Sequence, residues 1–170
     1  MSDNVYLGNP NLKKANTPIE FTEEQIIEFV QCQRDPVYFA NKYVKIVSLD
    51  EGLVSFSPYR FQEKLINNFH ENRFNICKMP RQTGKSTTVV SYLLHYAIFN
   101  DSVNIGILAN KAATARELLG RLQTAYENLP KWMQQGIMVW NKGSLELENG
   151  SKILAASTSA SAVRGMSFNI

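Results

Sequence analysis

The chain predicts an α/β fold in which a largely parallel sheet is flanked by helices, and three observations carry that expectation. Short apolar runs at Phe74, Ile76 and Met79 and at Val103–Leu108 alternate with helical patterns at Lys85–Phe99 and Lys111–Leu129. Strands separated by helices of ten or more residues pair in parallel through crossovers. Glu148-Asn149-Gly150-Ser151 marks a local hairpin, because Asn-Gly readily supplies the two positive φ angles of a tight primed turn. A polar segment, Arg81–Ser86, joins the first strand candidate to the first long helix.

Along the chain, residues 1–20 are rich in Asn and Pro and read as a loose polar arm. Thr22 with Gln25 three residues on makes a capping box, and Phe21 is placed to staple against Ile26, so a helix is expected over 23–33. Asp35 before Pro36 is a second start signal, cap then proline at the first helical position. Ser57-Pro58 repeats it before a helix over about 59–71, where Phe61, Leu65 and Phe69 share one face. In 85–99 the rows Val89, Leu93, Ala97 and Val90, Leu94, Ile98 lie side by side and require deep burial. In 111–129 Ala115, Leu118, Leu122, Ala125 and Leu129 form a single face, stopped by Pro130. Strands near 144–148 and 151–156 should flank the Asn-Gly turn.

Composition fits this picture. With 170 residues, 44% of them hydrophobic and 19% charged, the chain matches one ordinary globular domain and excludes wholesale disorder. It contains no apolar run of membrane-spanning length and no secretory n-region, so a soluble, cytosolic protein is expected. Cys32 and Cys77 lack zinc or redox spacing and are expected to be buried and inert. Residues 1–70 carry net −2 and residues 71–170 net +5, a balance that suits a polyanionic ligand in the second half.

The chemistry concentrates in Pro80, Arg81, Gln82, Thr83, Gly84, Lys85, Ser86 and Thr87. A helix start carries backbone N–H groups without internal partners and the positive end of the helix dipole, so a loop there can wrap a polyphosphate. Gly84 admits close backbone approach, the Lys85 ammonium can bridge β and γ phosphates, and the Ser86 hydroxyl can ligate Mg²⁺. Met79 stands where the usual pattern has its first glycine, and Pro80 removes one N–H from the cradle. Arg81, inside the loop, is placed to stabilise charge on a transferring phosphoryl group. Tyr59 and Gln62 open a helix some 20 residues upstream. A Gln amide matches the N6/N7 edge of adenine, and an aromatic ring can stack on its face.

The order Cys32-Gln33-Arg34-Asp35-Pro36, Gly52, Tyr59–Gln62 and Pro80–Ser86, with Trp140–Ser144, Asn149–Ser151, Ala162–Gly165 and Ser167-Phe168 later, resembles the large terminase subunit of T4-like tailed phages. The resemblance spans about residues 22–170. It implies the additional-strand class of P-loop NTPase and a motor that hydrolyses ATP with Mg²⁺ to drive double-stranded DNA into a procapsid. It further implies assembly as a homo-oligomeric ring with portal protein and small terminase subunit, in the cytoplasm of an infected bacterium and away from membranes. On that basis Gln62 falls in the adenine-recognising Q motif and Arg81, Gly84, Lys85 and Ser86 in a deviant Walker A. Arg164 takes the place of an arginine inserted into a neighbouring subunit's site. The division expected is an arm at 1–20, a helical segment with the Q-motif-like helix at 21–72, and a partial ATPase core at 73–170. A Walker B pair, an apolar strand ending in Asp-Glu, does not occur in this sequence, where Asp101 is the only aspartate after the loop. The resemblance places that strand at or beyond Ile170, with the nuclease domain downstream. The expectation is therefore an N-terminal piece that binds nucleotide without turnover. A helicase-like translocase and a binding module without catalysis are the competing readings.

Overall fold

A computed structural model describes residues 4–48, 50–159 and 165–170. Its elements in chain order are β1 (Val5–Tyr6), β2 (Asn9–Lys13), α1 (Glu23–Arg34), α2 (Pro36–Tyr43), β3 (Lys45–Ser48), β4 (Gly52–Ser55) and α3 (Arg60–Glu71), followed by α4 (Lys85–Phe99), β5 (Asn104–Ala109), α5 (Ala112–Glu127), β6 (Ile137–Trp140), β7 (Ser144–Leu147) and β8 (Lys152–Ser157). No described helix is long and apolar enough to cross a membrane.

The two start signals act as expected. Thr22 accepts from the Gln25 N–H while the Gln25 side chain accepts from the Thr22 N–H, and Asp35 accepts from the amides of Val37 and Tyr38. Such caps satisfy helix donors that have no internal partner and stabilise by about 1 kcal/mol each. Phe21 sets its ring edge-on to Phe29 and Trp132. Glu28 then locks α1 to α2, accepting from the hydroxyls of Tyr38 (3.1 Å) and Tyr43 (3.0 Å) and pairing with Lys42 (2.9 Å). Cys32 is buried beside this cluster, and burial pushes its thiol up to about 12, so it stays protonated and unreactive. Cys77, expected to be buried, is exposed.

The apolar rows of α4 are buried as their density demands: Val90, Tyr92, Leu93, Leu94, Ala97, Ile98 and Phe99 all join the core. α2 and α3 cover one side of α4 and α5 another, while α5 in turn packs on β5 and β8. The α5 face is Ala115, Leu119, Leu122, Ala125 and Tyr126 against Ile105 and Ile153, all buried. Each fully buried Leu or Ile here contributes roughly 1.5–3 kcal/mol.

The main sheet runs in the order β5-β8-β7-β6. β5 and β8 are parallel, Asn104 opposite Lys152 through Ala109 opposite Ser157, but β8–β7 and β7–β6 are antiparallel. The expected largely parallel sheet is thus corrected to a mixed one, because β6, β7 and β8 are joined by links too short for crossovers. On the other side of β5, the Asn169 N–H donates to the Asn104 carbonyl (2.8 Å) and the Gly106 N–H to the Ile170 carbonyl (2.9 Å), a parallel pattern. Only Gly150 of the Asn-Gly pair has positive φ, so the turn is not the primed type expected. Asn149 instead turns its amide onto the end of α4.

Two further expectations are corrected. Residues 1–20 are not a loose arm over 4–16, where a hairpin buries Leu12 and is held by side chains distant in sequence. Gln134 accepts from the Lys13 N–H and donates to the Asn11 carbonyl, and Glu148 receives Lys13 Nζ (2.8 Å) and the amides of Asn16 (2.8 Å) and Gly136 (2.6 Å). Lys14 bridges to Ile137 and so covers the open edge of β6. The strand expected from Phe74 to Met79 is absent. That stretch has no regular structure, with Phe74 84% and Ile76 102% exposed. Its apolar alternation has no neighbouring strand among the described residues, and a strand exists only with a hydrogen-bonded partner.

Candidate functional site

The loop 80–84 turns the chain from this irregular stretch into the first turn of α4. Two left-handed positions make the bend, Gln82 (φ 61°) and Gly84 (φ 73°, the N-cap of α4). Left-handed backbone is costly for residues other than glycine and gathers at functional turns. Pro80 lacks an N–H but supplies its carbonyl, which accepts from Thr83 Oγ1 (3.0 Å) and from Lys85 Nζ. Lys85 Nζ also donates to the Met79 carbonyl (3.0 Å), so the ammonium lies folded along the inner side of the loop.

Behind the loop, Thr88 is fully buried and ties helix to cap through its amide (2.9 Å) and hydroxyl (3.0 Å), both onto the Gly84 carbonyl. That is the first intrahelical bond of α4. Among the described residues nothing accepts from the amides of Lys85, Ser86 or Thr87. The first turn of α4 carries no acidic side chain, whereas α1 has Glu23 and Glu24 and α3 has Glu63 in that place. Arg81, Gln82 and Ser86 are exposed and Thr87 is half-buried. Lys85 and Ser86 line a small apolar cavity of about 150 Å³ with Ile107 of β5 and Leu118 of α5. The loop therefore stands near the carboxyl end of β5, where parallel strands in α/β sheets present ligands. An anion seated on these amides would meet the positive end of the α4 dipole and two nearby cations, Arg81 and Lys85.

A family model described as "Terminase large subunit, T4likevirus-type, N-terminal" matches residues 76–170, more than half of the chain and the whole of this loop. The chain belongs to that terminase family. The crystal structure of the HK97 bacteriophage large terminase is similar to this terminase chain with a TM-score of 0.63 over 79% of its residues, at 17% identity. At that identity the likeness concerns the fold. This chain spans 29% of the length of the HK97 protein.

The other residues singled out in the sequence fall in different places on the terminase chain. Tyr59 is 71% exposed and stacks on Phe61 with ring centroids 5.9 Å apart. Gln62 is only 4% exposed, and its amide is engaged on both sides. Its Oε1 accepts from the Tyr59 N–H at 2.8 Å, starting α3, and its Nε2 donates to the Thr83 carbonyl at 3.4 Å. The cap expected of Ser57 thus comes from Gln62, whose amide makes one bond at each of its two polar atoms. Arg164 lies outside the described residues. The sequence reading missed Thr88 and the Met79 carbonyl. A Thr four residues after the glycine is a recognisable back-bonding position, but nothing local marks which carbonyl receives a lysine.

A larger groove, about 770 Å³, lies elsewhere, between α3, α4 and residues 168–170. Phe69, His70, Arg73, Phe74, Tyr92 and Ile170 line it, a mixed aromatic and polar set.

Proposed function

We propose that this chain is the nucleotide-binding part of a viral packaging motor that hydrolyses ATP to move double-stranded DNA into a procapsid. The observation that carries the proposal is the loop between Met79 and α4, where a left-handed Gly84, a folded-in Lys85 and free first-turn amides converge on one point. In this reading the amides from Gly84 to Thr87 hold the phosphates. Lys85 leaves the Met79 and Pro80 carbonyls for the β and γ phosphates, and Tyr59 offers a ring for the base to stack on. Ser86, exposed and next to Lys85, fits a Mg²⁺ ligand, contributing one neutral oxygen beside phosphate and water oxygens. Bound there, the cation neutralises charge on the phosphates. Arg81 and Arg164 supply further positive charge, the latter toward a neighbouring subunit. Portal protein, small terminase subunit and a ring of copies are the partners proposed through the family, with the division into a 21–72 helical segment and a 73–170 ATPase core.

Turnover by residues 1–170 alone is not expected. Asp101 follows the far end of α4, a helix of 15 residues that spans about 22 Å. Glu117 pairs with Arg121, Glu127 accepts from Asn9, Glu146 pairs with Lys152 and Glu148 holds the N-terminal hairpin. None of these carboxylates is free to polarise a water at the loop. Calorimetric titration with Mg·ADP and Mg·ATP should show binding that Lys85→Ala weakens by about 100-fold or more, the size of losing a phosphate-bridging charge. Steady-state ATP hydrolysis should stay at background. Measurable turnover abolished by Lys85→Ala would show that a catalytic carboxylate had been misassigned, and absence of any nucleotide binding would refute the proposal.

A further inference from the structure

Among the described residues Gln62 is the one polar side chain that joins the helical segment to the phosphate loop by a hydrogen bond, and it is nearly buried there. A Gln that recognises the N6/N7 edge of adenine must present one free donor and one free acceptor to the ligand. Here the oxygen already accepts from the Tyr59 N–H, the nitrogen already donates to the Thr83 carbonyl, and only 4% of the residue is exposed, which leaves little surface for a base to meet. The contact with the loop is close. A Cβ built on Gly84 would collide with Gln62 Nε2, so the absence of a side chain at 84 serves the approach of Gln62 as well as the left-handed φ of 73°. The Thr83 carbonyl precedes the cap residue, and its orientation sets the plane of the Gly84 N–H across the same peptide.

We propose that Gln62 is a positioning residue of the phosphate loop: its amide fixes the Thr83–Gly84 peptide against the first turn of α3, tuning affinity for any polyphosphate irrespective of base. This rests on the nucleotide-binding reading of the loop. If the side chain reads no base, the nucleoside's identity has to be sensed elsewhere, and any movement of α3 relative to α4 is transmitted directly to the phosphate amides. The helix that carries Gln62 also packs on α4 through Ile66, which is fully buried. The two ends of the link are therefore seated on the same core.

The informative variant is Gln62→Glu. It keeps the acceptor for Tyr59, and with it the start of α3, while replacing the donor to the Thr83 carbonyl by a repelling oxygen. Two measurements on the 170-residue chain read it. The first needs no ligand. Amide hydrogen exchange should speed up at least ten-fold in Gln62→Glu at Thr88, whose amide donates to the Gly84 carbonyl, and stay unchanged in β5 and α5. Equal protection of the Thr88 amide in both proteins, or loss spread over the whole core, would overturn the positioning role. The second is titration with Mg·ADP, Mg·GDP and inorganic tripolyphosphate, where Gln62→Glu should weaken all three by a common factor of roughly ten. Weakening of ADP with GDP and tripolyphosphate untouched would overturn the proposal in favour of base reading. If the unaltered chain binds none of the three, the nucleotide reading fails, while the exchange result still decides whether Gln62 positions the loop.

Discussion

The two ends of α4 are built on opposite principles. At its carboxyl end every carbonyl that a helix leaves without an internal partner is sought out by a side chain from another part of the fold. Asn149 donates to Ala97 (3.0 Å) and Asn100 (3.1 Å), Gln135 to Ile98 (3.1 Å), Gln33 to Phe99 (3.4 Å) and Ser151 Oγ to Asn100 (2.8 Å). At its amino end the amides of Lys85, Ser86 and Thr87 meet no acceptor among the described residues, and no acid sits in the first turn. On the function proposed, the same helix serves stability at one end and ligand at the other. Four side chains from three separate chain segments converge on the carboxyl end, whereas the amino end is shaped by five loop residues and one Gln. α5 also lacks a first-turn acid, but it follows β5 through residues 110–111 with no glycine, so lack of acid alone does not make such an end.

If that contrast holds, substitutions near the carboxyl end should change stability and leave affinity alone, with the reverse at the amino end. The largest effect should come from His95, buried in the carboxyl half of α4 against Phe39 and Phe99, with Nε2 at 2.8 Å from the Cys32 carbonyl. Burial pushes it down to about 4 from 6.5, with His70 at 6.0 Å adding to the shift and the Cys32 carbonyl opposing it. A depressed histidine is neutral in the fold and charged once unfolded. Its contribution is full above pH 6.5 and is lost as pH falls toward 4, a swing of ~3 kcal/mol. Urea melts at pH 7 and pH 4.5 should show that loss, and His95→Gln should flatten it.

Next in size, Asn149→Ala removes the donor shared by the Ala97 and Asn100 carbonyls and should cost about 1–3 kcal/mol in urea melts with nucleotide affinity unchanged. At the amino end, Ser86→Ala should move stability by less than ~0.5 kcal/mol yet lower affinity for Mg·ADP several-fold while barely changing metal-free ADP. Equal effects of Asn149→Ala and Ser86→Ala on both readouts would break the comparison. The smallest effect is at Glu148. Burial alone would raise this carboxyl, but Lys13 and the amides of Asn16 and Gly136 outweigh it and hold it below the usual carboxylate range. The hairpin's anchorage is therefore present at neutral pH and lost as pH falls through that lowered value. Limited proteolysis of residues 4–16 should accelerate only in strong acid, and at neutral pH in Glu148→Gln.

Much of this was legible in the sequence because it rests on local chemistry. Thr22 with Gln25 and Asp35 with Pro36 mark helix starts through bonds spanning three residues, and the doubled apolar rows of α4 can mean only deep burial. The loop at 80–87 was legible for the same reason, since Gly-Lys-Ser at a helix start is a local constellation. What could not be read depends on distant partners. The β1–β2 hairpin buries only Leu12 fully and is held by Gln134 and Glu148 from more than 100 positions away. Phe74 and Ile76 alternate like a strand yet have no described neighbour to pair with. Gln62 looked like a free amide at a helix start, and only the fold shows Gly84 and Thr83 against it.

The central claim is that the first-turn amides of α4 are the seat of a nucleotide's phosphates. Amide chemical shifts of the ¹⁵N-labelled chain, followed as Mg·ADP is added, test it most directly. The account predicts large, saturable shifts at Gly84, Lys85, Ser86 and Thr87, small ones at Ala97–Asn100, and none of either in Lys85→Ala. Shifts centred on Phe74, Tyr92 and Ile170 around the large groove, or shifts at 84–87 that persist in Lys85→Ala, would contradict it.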